Sequence, residues 1–187
     1  MSERGKTGDR FRDASADVRA AWSVPVQVAE VPETGRHVEL EADAATRQAV
    51  AKTASVVALP RLHAEFDLTP LPEGGLRVNG AVSAIVEQNC VVTLEPVTTE
   101  VHEPVDLTFL PPGEADAAAQ TTDDVEPPEA FEGETVDLGA VATEFLILGI
   151  DPYPRKPGVS FEAPAAPNDP AAHPFAALAA LKGQNGS

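Results

Sequence analysis

The sequence predicts an α+β protein: an antiparallel β-sheet meander covered by one or two helices, with a long acidic loop and flexible termini. Three observations carry this prediction. Apolar and polar residues alternate with period 2 across most of residues 61–109, the mark of strands with one wet face. Residues 138–148 instead repeat apolar positions at helical spacing. Eighteen prolines and thirteen glycines in 187 residues speak for many turns and against a helical bundle.

Taken in order, residues 1–20 mix charged with small side chains and read as a mobile arm. A first strand is expected over residues 23–28, where Pro25 confines it to an edge or an irregular start. Residues 37–41 form a short alternating strand. Asp43 is a good N-cap for a helix over residues 44–53, which carries Arg47 and Lys52. Leu62, Ala64, Phe66 and Leu68 then alternate with Arg61, His63, Glu65 and Asp67. Pro72-Glu73-Gly74-Gly75 is turn chemistry.

The next strand turns Leu76, Val78, Val82, Ala84 and Val86 one way, and its parity runs on into Cys90, Val92 and Leu94. Glu95-Pro96 marks a break before Val101, Val105, Leu107 and Phe109 resume the alternation. Residues 111–134 hold many Asp, Glu, Ala and Pro residues and no cation. They bury too little apolar surface to offset their ordering entropy, so they read as a flexible acidic loop. Order returns with Asp137 as N-cap of a helix whose apolar face is Leu138, Val141, Phe145 and Leu148, with Glu144 opposite and Pro152 as the stop. The domain is thus expected to span residues 21–162. Residues 163–187 form a Pro/Ala-rich tail, with Phe175, Leu178 and Leu181 able to make a short helix.

Bulk properties narrow the function. The single Cys90 excludes an internal disulfide framework and a multi-cysteine zinc site, and is expected to be a small buried apolar residue. No apolar run approaches the roughly 20 residues that span a bilayer, and no apolar stretch follows the charges at residues 3–6. The expectation is a soluble cytoplasmic protein that makes no membrane contact.

Formal net charge is -17. No Lys or Arg lies between Arg77 and Arg155, so this stretch would repel nucleic-acid phosphates. Trp22 and Tyr153 are the single Trp and Tyr, too few for a base-stacking platform. The acidic surface serves solubility or receives a basic partner. A direct RNA-binding module stays open, provided folding gathers Arg36, Arg47, Lys52, Arg61, Arg77, Arg155 and Lys156 on one face. So does an acidic chaperone for a basic protein that uses residues 114–134 as a receiving arm.

Chemistry finds little support. His37, His63, His102 and His173 are scattered, and His102-Glu103 is followed by Pro104 without a second histidine four residues on. There is no Gly-x-Ser-x-Gly, and Gly74, Gly75 and Gly80 read as hairpin residues. The acidic side chains concentrate in the expected loop, which could not hold catalytic geometry. The expectation is a non-enzyme with no metal and no cofactor.

Two segments stand out: Cys90-Val91-Val92-Thr93-Leu94-Glu95-Pro96-Val97, and the run from Val136-Asp137-Leu138-Gly139 to Asp151-Pro152-Tyr153-Pro154-Arg155-Lys156-Pro157-Gly158. In this order, separated by an acidic stretch, they resemble the YceD family in its alphaproteobacterial type. The resemblance covers roughly residues 24–161. It implies a ribosome-biogenesis factor needed for large-subunit ribosomal RNA to accumulate. Many members look like Cys-x-x-Cys-Leu-x-Pro at the first segment. Here Thr93 stands where the second cysteine would be, so no metal role carries over.

On that resemblance Cys90, Leu94, Pro96, Asp137, Leu138, Asp151 and Pro152 are motif positions with a structural role. Tyr153, Arg155 and Lys156 are the candidate partner contacts, because flanking prolines stiffen the segment and lower its ordering cost. The alternative is a segment that crosses the sheet edge and packs Tyr153. The expected partner is a basic ribosomal or ribosome-assembly protein, with ribosomal RNA contacted directly or indirectly. Oligomeric state leaves no signal in the sequence.

Overall fold

In the computed structural model, residues 18, 21–111, 113–115, 128–130 and 134–160 are described. The expected arm at residues 1–20 lies outside them apart from Val18, as does the tail at residues 163–187. The elements are β1 (Pro25–Gln27), β2 (Arg36–Glu41), α1 (Ala44–Thr53), β3 (Ala58–Pro70), β4 (Leu76–Asn89), β5 (Pro96–Leu110), β6 (Glu129–Ala130), β7 (Thr135–Asp137) and α2 (Leu138–Gly149). They make an α+β fold built on a five-stranded sheet in the order β2-β3-β4-β5-β6, with β1 and β7 paired as a separate ribbon. Residues 1–156 form one compact unit and residues 157–187 a second, in whose described part Gly158 sits at φ 78° in a turn.

The meander follows from the period-2 pattern. β3, β4 and β5 pair antiparallel over most of their 13, 14 and 15 residues. Most of their inward side chains are buried, with Leu62, Phe66, Leu76, Val78, Val82 and Val86 at 0% exposure. Each such side chain is worth roughly 1.5–3 kcal/mol of burial. Gly80 sits on the inner parity where β3 and β4 press together. A Cβ there would lie 1.9 Å from the Glu65 carbonyl oxygen, so no larger residue fits. α1 begins at its expected cap, the Asp43 carboxylate accepting from the Thr46 N–H at 2.7 Å, and packs beside β3. α2 lies over β4 and β5, closing the core together with Trp22, Val26 and Val136.

Four sequence expectations are revised. The first strand is three residues long and leaves the main sheet, because Pro25, Val26 and Gln27 pair antiparallel with Asp137, Val136 and Thr135 of β7 instead. The strand parity does not run through Leu94. β4 ends at Asn89, and residues 90–95 turn, so only Cys90 of the three is buried, while Leu94 is 76% exposed.

The buried stripe of α2 is Leu138, Ala142 and Leu146 with Val141 and half-buried Phe145. Leu148 is 76% exposed and shares the outer side with Glu144. The i, i+3, i+7, i+10 reading erred because this helix is apolar nearly all round, so periodicity alone leaves its rotation open. Finally, within the expected acidic loop at residues 111–134, Glu129–Ala130 form an edge strand parallel to β5. Residues 116–127 lie outside the described residues.

Candidate functional site

The chain reverses after β4 through a tight turn. The Cys90 N–H donates to the Glu95 carbonyl at 2.8 Å, and the Leu94 N–H donates to the Cys90 carbonyl at 2.9 Å. Leu94 takes a left-handed conformation, φ 60°, which is strained for a branched apolar residue. The buried Cys90 sulfur lies inside this turn, where the Thr93 hydroxyl is its strongest donor. Backbone N–H groups of Lys156, Thr93 and Val92 add to it and, against burial, hold the thiol pKa down to about 6. Thr93 N–H to Sγ is 3.5 Å. Thr93, in the position of the absent second cysteine, thus acts as a hydrogen-bond donor to the first.

The second motif segment passes across this turn. After α2 stops before Pro152, the Asp151 side chain accepts from the Tyr153 N–H at 2.8 Å, and its carbonyl accepts from the Gln88 amide at 3.0 Å. Buried Pro154 accepts from the Val91 N–H at 2.9 Å. Lys156 Nζ reaches Glu95 Oε2 at 2.9 Å, and this ion pair holds the Glu95 carboxyl below its ordinary range. The fold therefore brings together Cys90, Leu94, Pro96, Asp151, Pro152, Tyr153, Arg155 and Lys156.

Within this cluster the side chains divide. Cys90 and Pro154 are buried, and Lys156 is held by Glu95. Tyr153 is 69% exposed and Arg155 is exposed with no ion pair among the described residues. Val57, Val91, Leu94, Leu148 and Tyr153 are the exposed large hydrophobics among the described residues. All five belong to this end of the sheet: Val57 is bonded to Glu87 at the end of β4, and Leu148 is in the last turn of α2. Leu94 is the site residue that sequence reasoning misplaced. Its signal was the turn chemistry of Glu95-Pro96, which the continued parity outweighed.

Asp137 and Leu138 lie elsewhere and fasten the fold. The Asp137 carboxylate accepts from the Gly139 and Ala140 N–H groups at 3.0 and 3.2 Å, capping α2. It also accepts from the Val24 N–H and the Ser23 hydroxyl, both at 2.7 Å. Leu138 is fully buried and donates its N–H to the Val24 carbonyl. Gly139 lets the Trp22 carbonyl approach: a Cβ there would sit 2.7 Å from that oxygen.

The cations stay apart. Arg77 on β4 is held by two bonds to Asp106, at 2.9 and 2.8 Å, which keep the Asp106 carboxyl below its ordinary range. Arg47 donates to the Ala42 carbonyl beside α1. Arg36 is on β2, Arg61 on β3, and Arg155 and Lys156 at the turn end. Among the described residues no group of three or more His, Cys, Asp or Glu is placed to hold a metal ion, and no helix is long and apolar enough to cross a membrane. His173 lies outside the described residues.

A family model described as large ribosomal RNA subunit accumulation protein YceD matches residues 78–182, which takes in both motif segments. No curated protein and no solved structure matches the chain.

Proposed function

The chain belongs to the YceD family, and from that premise we propose that it is a non-enzymatic cytoplasmic factor that supports accumulation of large-subunit ribosomal RNA by binding a basic ribosomal or assembly protein. Involvement in large-subunit ribosomal RNA accumulation follows from the family. Binding through protein is favoured by the dispersal of the cations. A protein that grips phosphates needs several free cations side by side. Here Arg77 and Lys156 are taken up by Asp106 and Glu95. Arg61 and Arg77 share one sheet face but lie eight positions apart along β4, about 27 Å at 3.4 Å per residue. Acidic side chains lie between them.

The turn end supplies the contact residues of this reading, Tyr153 and Arg155, with Lys156 behind them. Aromatic and arginine side chains on a stiff segment are what anchors at protein interfaces are made of.

The test is an affinity pull-down of the tagged chain from lysate at low and high salt, with proteins and RNA both identified. Large-subunit ribosomal or assembly proteins should remain after nuclease treatment. Recovery of only nuclease-sensitive, salt-sensitive material would replace this reading with direct RNA binding. A Tyr153→Ala/Arg155→Ala variant that supports normal ribosomal RNA levels would remove those two residues from it.

A further inference from the structure

We propose that the outer face of the sheet, the side away from α2, is a docking surface for a lysine- and arginine-rich protein segment laid along β4. This inference rests on the protein-binding reading and locates it.

The register defines the surface. His37, Asp67, Asn79 and Asp106 form one row across β2 to β5, followed by Glu39, Glu65, Ala81 and Pro104. Next come Glu41, His63, Ser83 and His102, and then Arg61, Ile85 and Glu100. Every one of these residues is exposed or half-buried, so no described element covers the face. Its centre is low, because β4 presents Asn79, Ala81 and Ser83. Longer side chains flank it, with Glu39 and Glu65 on one side and Glu100 and Asp106 on the other, and His63, His102 and Pro104 among them. The result is a shallow trough, about 27 Å from Arg77 to Ile85, long enough for eight extended residues or five turns of helix.

The charge pattern says what fits. Glu39 and Glu65 are direct cross-strand partners, a like-charge pairing that destabilises a sheet unless a cation relieves it. The molecule supplies only part of that relief. His37 bonds to Asp67 at 2.8 Å and reaches Glu39 at 3.6 Å, while Glu65 and Glu100 have no ion pair among the described residues. The two arginines sit at the ends of the trough, and Arg77 is spent on Asp106. A duplex or single-stranded RNA would be repelled here, whereas a basic polypeptide meets at least one carboxylate in every row. The exposed apolar end around Leu94 and Tyr153 supplies anchors that charge alone lacks, since electrostatic complementarity sets orientation and on-rate more than affinity.

The experiment uses the full chain and a defined probe, the proteins of the large ribosomal subunit freed of RNA. Two triple variants each remove three acidic charges: Glu39→Gln/Glu65→Gln/Glu100→Gln on the trough, and Glu30→Gln/Glu33→Gln/Glu134→Gln near the β1–β7 ribbon. The trough variant should weaken retention of the protein that the wild type binds by about tenfold or more, and the ribbon variant by less than about threefold. Equal weakening would mean that net charge alone attracts the partner and would overturn the site while leaving protein binding intact. No effect of either variant on a partner that still binds would also overturn the site alone. Absence of any bound protein with the wild type would overturn both readings.

Discussion

The Val91 N–H donates to the Pro154 carbonyl oxygen at 2.9 Å, so the turn after β4 and the segment after α2 are hydrogen-bonded to one another. Two motifs that are far apart in sequence are therefore one structural object. Its buried parts hold the two segments together, and its exposed parts face solvent as one tip.

Leu94 is the residue at which that division is sharpest. A leucine at φ 60° and 76% exposure gains nothing from the fold. Asparagine tolerates the left-handed region better, so Leu94→Asn should leave stability unchanged or raise it by up to about 1 kcal/mol. Binding of the partner should fall in the same variant. Urea denaturation and a pull-down check both, and a loss of stability would mean that Leu94 packs within the fold.

The thiol of Cys90 gives a pH-dependent prediction. Its folded pKa lies below its ordinary value, so its contribution to stability is complete above about 9 and is lost as pH falls through about 6. The deficit of Cys90→Ala relative to wild type, read from urea midpoints, should shrink over that window. Thr93→Val removes the largest donor and should move the thiolate absorbance midpoint upward. An unmoved midpoint would dismiss Thr93 as the cause.

At the start of α2, Asp137→Ala removes a helix cap and the partner of Val24 together. The expected loss is about 2–4 kcal/mol, more than a cap alone. Asp137→Asn keeps an accepting oxygen and should recover much of it. Trp22 is the single tryptophan, so its fluorescence reports whether the N-terminal segment detaches.

The rotation of α2 is tested by two leucines. Leu146 is fully buried and Leu148 largely exposed. Leu146→Ala should cost about 2–5 kcal/mol and Leu148→Ala about 0.5 kcal/mol or less. The reverse order in thermal or urea denaturation would return the helix to the face first read from periodicity.

Much of this fold was legible because its strands are long and half-wet. Period 2 can only be satisfied by putting Leu62, Phe66 and Val78 on one side and Arg61, Glu65 and Asp67 on the other. Asp43 announced α1 for an equally local reason, since an N-cap bond spans three residues. The family resemblance was legible in the two motifs themselves, and the family model matches over the region that contains them.

The rest is non-local. Nothing near Val91 indicates Pro154, and nothing near Glu95 indicates Lys156, because those contacts depend on where α2 returns the chain. Leu94 sits among residues that continue the strand pattern, and only the closing of the turn by Glu95 forces it outward. α2 is apolar on nearly all sides, so the shape of the sheet beneath it chose Leu146 over Leu148. The sequence by itself determined the sheet, its two faces and the acidic character of the chain, since these follow from local periodicity and composition. Tertiary structure alone decided which charges meet, which apolar side chains stay exposed, and that two separate motifs form one tip, because these are set by the packing of elements distant along the chain.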